Sequence, residues 1–204
     1  MTRERSFALQ GRRSERFHSR QRPRALPGGF SLLELLVVVA FIGMINGLTI
    51  ALTGNEWQRE RVNSVAVGLA GWLEEVRGNA LRQTSDNPAA GGCVVTVSNL
   101  SNAAVGSVLA TVSPSICAAE ASFVIPGVTG SADRYDTASS DAATITFTPR
   151  GSVTSSNDAV VRILLRGSAQ LRCVRVSAIL GLVRVGSNGA ASSTADACAD
   201  YSRF

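Results

Sequence analysis

The chain has 204 residues, 20 of them basic and 15 acidic, and a formal net charge of +5. Residues 1–29 hold eight arginines against two glutamates, so residues 30–204 keep twelve arginines, thirteen acids and a net charge of −1. The positive excess belongs to the N-terminal segment. This distribution argues against a nucleic-acid binder that works through overall charge, although a local arginine patch stays open.

The side chains used in most catalysis are scarce. The only histidine is His18, and the chain has no lysine. A mature chain lacking residues 1–29 would have no imidazole for general-base catalysis or metal binding, and no amine for Schiff-base chemistry. We therefore expect no enzymatic activity, no cofactor and no metal. A membrane-anchored enzyme is the disfavoured alternative.

An apolar segment, residues 30–53, follows the arginines and is interrupted chiefly by Glu34 and Asn46. As a helix it would extend about 36 Å, which is enough to cross a bilayer core. The preceding arginines predict that residues 1–29 stay in the cytoplasm and that the rest is exported. The run is too long for a secretory signal peptide and lacks a small-residue cleavage site. A plain signal anchor leaves Glu34 unexplained, because an ionised carboxylate in a bilayer costs about 2.5–3.5 kcal/mol.

The sequence GFSLLELL, residues 29–36, resembles the cleavage signal of type IV pilins and pseudopilins. Gly29 matches the last leader residue, Phe30 the first mature residue, and Glu34 the acid at mature position five. The resemblance implies that a prepilin peptidase removes residues 1–29 and that Phe30 is N-methylated. It also implies that Glu34 of one subunit neutralises the Phe30 amine of its neighbour in a filament.

Residues 54–84 predict an amphipathic helix that continues the apolar one and ends near Gln83. Apolar residues recur at three- and four-residue steps, with charged residues between them. Trp57 is expected at the interface and Trp72 in the core. The predicted apolar stripe consists of Val62, Val65, Ala66, Leu69, Trp72, Leu73, Val76 and Ala80.

Residues 85–204 predict short β-strands separated by polar turns. The expected strands are 93–98, 107–112, 143–148, 159–166, 172–177 and 182–186, with loops at 127–142 and 187–197. The predicted fold class is α+β. A long N-terminal helix, half membrane-spanning and half amphipathic, packs on a C-terminal antiparallel β-sheet domain.

The four cysteines are widely spaced and form no C-x-x-C pair, which disfavours zinc and thioredoxin-like sites. Their even number predicts disulfides in an oxidising compartment, with buried reduced thiols as the alternative. Sequence permits three pairings. The two local ones, each closing a loop of about 25 residues, are preferred. They join Cys93 to Cys117 and Cys173 to Cys198.

Two further segments are similar to the GspH/FimT group of minor pilins and pseudopilins. In WLEEVRGNALRQ, Arg77 and Ala80 match that group's helix pattern, and in ITFTPRGSVT, Phe147 and Gly151 match its strand-turn pattern. The segment RVSAILGLVRVG is similar to its closing hairpin. The placement of the cysteines is more like that of the minor pilins FimU and FimT than that of the secretion pseudopilin.

Some FimT proteins bind DNA, and a G-R-x-R motif is associated with that activity. Here Gly181 and Arg184 match the motif, whereas Leu182 replaces its first arginine. The candidate DNA-binding residues are therefore Arg184, Arg175 and Arg172, and Arg162 and Arg166 are available for a patch. The alternative is that these arginines face solvent on half-buried strands.

The resemblance as a whole implies a minor type IV pilin that helps to start or cap a pilus. Its partners would be other pilins, the prepilin peptidase and the inner membrane, with its C-terminal domain in the periplasm. A minor pseudopilin of a type II secretion system and a DNA-binding minor pilin of natural transformation are the alternatives.

Overall fold

The computed structural model describes residues 31–83, 92–140 and 144–203, without the side chains of residues 48–55 and of Arg203. The predicted cleavage and methylation site at Gly29 and Phe30 lies outside the described residues. By their contacts the residues divide into two units, one ending at Ile45 and one beginning at Asn46.

Helix α1 (Leu32–Arg82) is the one α-helix in the described part of the chain. Ser31 precedes it, and its Oγ accepts a hydrogen bond from the Glu34 backbone N–H at 3.3 Å. This is the bond expected of an N-cap serine, and Glu34 three residues later completes the sequence pattern of a capping box. The described side chains of α1 fall into two stretches, residues 32–47 and 56–82.

The predicted fold class, with its membrane-spanning N-terminal half, is wrong. No helix within the described residues is long and apolar enough to cross a membrane. The described structure is instead helix together with antiparallel sheets.

The second stretch of α1 is amphipathic. All eight residues of the predicted stripe are buried, including Trp72, whose Nε1 donates to the Glu120 carbonyl at 3.0 Å. Trp57 is 66% exposed. Burial of one apolar stripe stabilises a helix more than propensity does, which accounts for an ordered helix up to Arg82.

The first sheet has four antiparallel strands in the order β4-β3-β1-β6. Its strands are β1 (Cys93–Val97), β3 (Val108–Ser113), β4 (Ser122–Val124) and β6 (Thr144–Phe147). A 3-10 turn, Ser115–Cys117, lies between β3 and β4.

The second sheet has six antiparallel strands in the order β10-β9-β8-β7-β5-β2. Its strands are β2 (Ala103–Ala104), β5 (Arg134–Ser139), β7 (Ala159–Leu165), β8 (Leu171–Val176), β9 (Val183–Asn188) and β10 (Ala199–Arg203). The stripe of α1 and residues of both sheets form one apolar core. A smaller cluster on the opposite face of the second sheet contains Leu164, Leu171, Cys173 and Ala191.

Six strands lie within two residues of their predicted bounds, and four were missed. The expected loop at 127–142 is wrong in part, because β5 occupies Arg134–Ser139. Its inward residues are Tyr135 and Thr137, and Thr137 Oγ1 donates to the Ser98 carbonyl at 3.1 Å and accepts the Leu100 N–H at 2.9 Å. Thr137 is a polar residue that is buried because its hydroxyl bonds to residues distant in the chain. Its segment therefore lacks the local alternation of apolar and polar residues that predicts a strand.

Candidate functional site

The first candidate site is the exposed apolar stretch of α1, residues 32–47. Its large side chains lie in the open, with Leu32 83%, Met44 72% and Phe41 62% exposed. Monomeric soluble proteins rarely expose a contiguous apolar surface of this kind. The chemistry it offers is apolar association, and Glu34 is its one ionisable residue in the described structure.

Glu34 is itself exposed and sits in the first turn of α1. Its position at the helix N-terminus is favourable for an acid, because the helix dipole is positive there. The structure thus gives Glu34 a local role that sequence analysis missed, although the S-x-x-E pattern signals it. The predicted partner, the Phe30 amine, lies outside the described residues.

Both predicted disulfides are confirmed. Cys93 bonds to Cys117 and Cys173 bonds to Cys198, and the described residues contain no free cysteine. The first disulfide ties the start of β1 to the 3-10 turn. The helix end holds the same turn, since Asn79 Nδ2 donates to the Cys117 carbonyl at 3.0 Å and Gln83 Nε2 lies 3.3 Å from Cys117 Sγ.

The second disulfide lies on the opposite face of the six-stranded sheet from α1. Cys173 is buried in the smaller cluster, and Cys198 and Tyr201 pack against that cluster. The bond therefore fastens the segment before β10 onto β8, where the arginine-bearing strands run side by side.

Two of the three predicted DNA-binding arginines are brought together. Arg175 on β8 and Arg184 on β9 are directly opposed in the strand register, and Arg203 on β10 is opposite Arg184. The core residues Val174, Val176 and Val183 flank them in sequence, so alternation turns Arg175 and Arg184 to the face away from α1. We call Arg175 and Arg184 the arginine row.

Arg175 is partly neutralised by contacts that the sequence did not reveal. Its Nε donates to Asp158 Oδ2 at 2.6 Å, and its guanidinium carbon lies 5.4 Å from the centre of the Tyr201 ring. The backbone N–H of Ala178 and then Arg175 lower the pKa of Asp158. The pKa of Tyr201 is raised, mainly by burial. Arg184 is the more exposed of the two.

Arg172 does not join the arginine row. Val174 and Val176, two and four positions further along β8, lie on the core face, and strand alternation places Arg172 on the same face. Arg172 is only 7% exposed. Its Nε donates to Asn63 Oδ1 on α1 at 3.3 Å. The same alternation could have placed it on that face from the sequence.

Two segments that resemble the GspH/FimT group meet in space. Arg77 Nε donates to the Gly151 carbonyl at 3.0 Å, and its Nη2 lies 3.5 Å from the Leu180 carbonyl. Its Nη1 also pairs with Glu74 at 3.2 Å. Arg77 of the helix segment thus bonds to Gly151 in the turn of the other segment and contacts the hairpin between β8 and β9.

Within the described residues, no group of three or more histidine, cysteine, aspartate or glutamate side chains could hold a metal ion. Comparison of the chain with protein-family models, with curated proteins and with solved structures gave no match.

Proposed function

We propose that the protein is a minor type IV pilin, a structural subunit that helps to start or cap a filament. The observation that carries this proposal is the exposed apolar stretch at residues 32–47, which follows a cleavage-like sequence and has Glu34 at its start. Such a face is stable in water only when it is covered, and the same stretch of neighbouring subunits would cover it in a filament.

Two further observations support the proposal. The residues that resemble the GspH/FimT group are joined by the bond between Arg77 and Gly151. Both disulfides fit export to an oxidising compartment. The proposal locates the β domain in the periplasm at the inner membrane before assembly, and in the filament afterwards.

Cleavage is tested by mass analysis of the protein from a strain that expresses it together with its prepilin peptidase. The expected mature chain begins at N-methylated Phe30. An N-terminus that still carries residues 1–29 contradicts the proposal.

The role of Glu34 is tested with Glu34→Gln and Glu34→Ala. Glutamine keeps the capping pattern but removes the charge, so both variants should be cleaved and both should fail to enter filaments. Glu56→Gln, a change at another exposed acid of α1, should assemble normally. Normal assembly of Glu34→Gln shows that capping, not charge, is the role of Glu34.

The filament role is tested by deleting the gene while the major pilin is still expressed. We expect few or no surface pili. Normal pili with lost protein secretion would point to a type II secretion pseudopilus instead.

A second candidate function is DNA binding, favoured by the arginine row. Neutralising phosphates releases counterions, so affinity should fall as salt rises, and Arg184→Ala should reduce the salt slope by about one. The measurement is the affinity of the full chain in mild detergent for a short DNA duplex at several salt concentrations. The control is Arg150→Ala, which changes an exposed arginine on a turn. No binding at low salt removes this candidate.

A further inference from the structure

Arg172 is the one charged side chain that is buried in the described part of the chain. Burial lowers its pKa, Arg59 lowers it further, and Glu60 acts in the opposite direction. No described carboxylate forms an ion pair with it, in contrast to Arg175, Arg77 and Arg166. An arginine carries five N–H donors, and among the described residues Arg172 forms its hydrogen bond with Asn63.

The Arg172 guanidinium lines a cleft between α1 and the last strands of the second sheet. The cleft measures about 150 Å³ and is lined mainly by polar residues. Besides Arg172 they are Asn63, Ser187, Ser202 and Asp200, together with Gly186 and Val185. A water molecule takes about 30 Å³ of liquid volume, so the cleft has room for one small polar group and a few waters.

A buried cation that forms no close ion pair is costly, and an anion that reaches it gains a charge-assisted bond. A carboxylate suits the site because it is planar and matches the arginine fork with two parallel bonds. Asp200 in the same cleft repels any anion, and it repels a doubly charged one such as phosphate more strongly than a singly charged carboxylate. Asn63 adds the two N–H donors of its side-chain amide.

We propose that this cleft is a binding site for one carboxylate group, with Arg172 and Asn63 as its ligands. The carboxylate comes either from a small organic acid or from an acidic side chain of a second copy of the chain. The site lies on the opposite face of β8 from the arginine row, and the proposal does not depend on the pilin assignment.

The experiment uses the full chain in mild detergent at pH 7, with sodium acetate as the probe and sodium chloride at equal ionic strength as the reference. Acetate at about five times its Kd should raise the Tm by about 2–4 °C above chloride. The Arg172 Nε–Hε resonance should shift saturably with acetate and not with chloride. If the Arg172 resonance instead shifts with protein concentration in the absence of acetate, and acetate reverses that shift, the carboxylate comes from a second copy of the chain.

Three variants complete the test. Arg172→Met should lose the acetate response, and Arg175→Met, on the opposite face of the same strand, should keep it. Asn63→Asp supplies an internal carboxylate to Arg172, so it should raise the Tm in chloride and abolish the acetate response. The proposal is overturned if acetate and chloride act alike and the Arg172 resonance depends on neither acetate nor protein concentration. It is also overturned if Arg172→Met responds as the unaltered chain does.

Discussion

Arg77 donates to the Gly151 carbonyl at 3.0 Å, although the two residues are 74 positions apart in the chain. Gly181 also approaches this point, because a Cβ there would lie 2.6 Å from the Gly151 carbonyl oxygen. Helix α1, the turn after β6 and the hairpin between β8 and β9 therefore converge on one arginine.

Replacing Arg77 with methionine removes the donors to the Gly151 and Leu180 carbonyls and keeps most of the apolar stem. Hydrogen bonds from charged groups contribute about 1.5–3 kcal/mol, so we expect the free energy of unfolding to fall by about 2 kcal/mol. Urea unfolding of the full chain in mild detergent measures it. Arg59→Met, which removes an exposed pair with Glu56 at 4.0 Å, should change it by less than about 0.5 kcal/mol.

Alanine at Gly151 should destabilise the protein through both backbone strain and a clash. Gly151 has φ +72°, and a Cβ would lie 2.9 Å from Leu81 Cδ2. Strain in the left-handed region costs about 1–2 kcal/mol, and displacing Leu81 adds to it. Gly106 is the matched control, since it has φ +88° and an added Cβ there would have no atom beyond its chain neighbours within 4 Å.

Gly106→Ala therefore reports strain alone, and Gly151→Ala should cost more in urea unfolding. Gly181→Ala should cost most of the three, because its added Cβ meets backbone, which cannot rotate away. Equal losses at Gly106 and Gly181 would show that the close approach of the two turns is not needed for stability.

The parts of the fold that the sequence predicted are those fixed by local patterns. The stripe of α1 follows a helical period, and Val161, Ile163 and Leu165 recur at every second position of β7, so each pattern indicates its own buried face. The contacts of Arg77, by contrast, join three distant segments. Pattern matching selected Arg77 and Gly151 separately, and only the fold shows that they touch.

The candidate site was predicted less well, for physical reasons. Arg172, Arg175 and Arg184 look alike as sequence, yet one is buried, one is paired with Asp158 and one is exposed. Alternation along β8 puts Arg172 and Arg175 on opposite faces of the sheet. The pairing of Arg175 with Asp158, by contrast, depends on how the hairpin of β7 and β8 brings the two residues together. The resemblance implies an intersubunit role for Glu34, whereas its backbone N–H bonds to Ser31 within the same helix.

Removing the Cys93–Cys117 disulfide should be costly. In the loop-entropy model, a bond with a sequence separation of 24 contributes about 3–4 kcal/mol. We expect the double variant Cys93→Ala and Cys117→Ala to lose that amount in urea unfolding, and to loosen the 3-10 turn that Asn79 holds. A reductant should shift the urea midpoint of the unaltered chain and leave the midpoint of a variant lacking all four cysteines unchanged. An unaltered chain that ignores the reductant contradicts this prediction.

Acid should destabilise the protein partly through Asp158. The backbone N–H of Ala178, at 2.7 Å from Oδ1, and the Arg175 guanidinium lower the pKa of this carboxyl. Because its folded pKa lies below its unfolded value of about 3.9, its contribution is present above that value and is lost as the pH falls through the folded pKa. Asp158→Asn should therefore flatten the fall in stability below about pH 4.

The flattening should be partial, because the pKa values of Asp136 and Asp196 are lowered as well. Thermal unfolding between pH 2 and 6 measures the slope, with Glu56→Gln as the control. An Asp158→Asn slope identical to that of the control would show that the bonds to Ala178 and Arg175 do not favour the ionised carboxylate.

Since Asp158 also pairs with Arg175, the same variant should free that guanidinium. DNA affinity would then rise if the arginine row binds phosphate and stay constant if it does not.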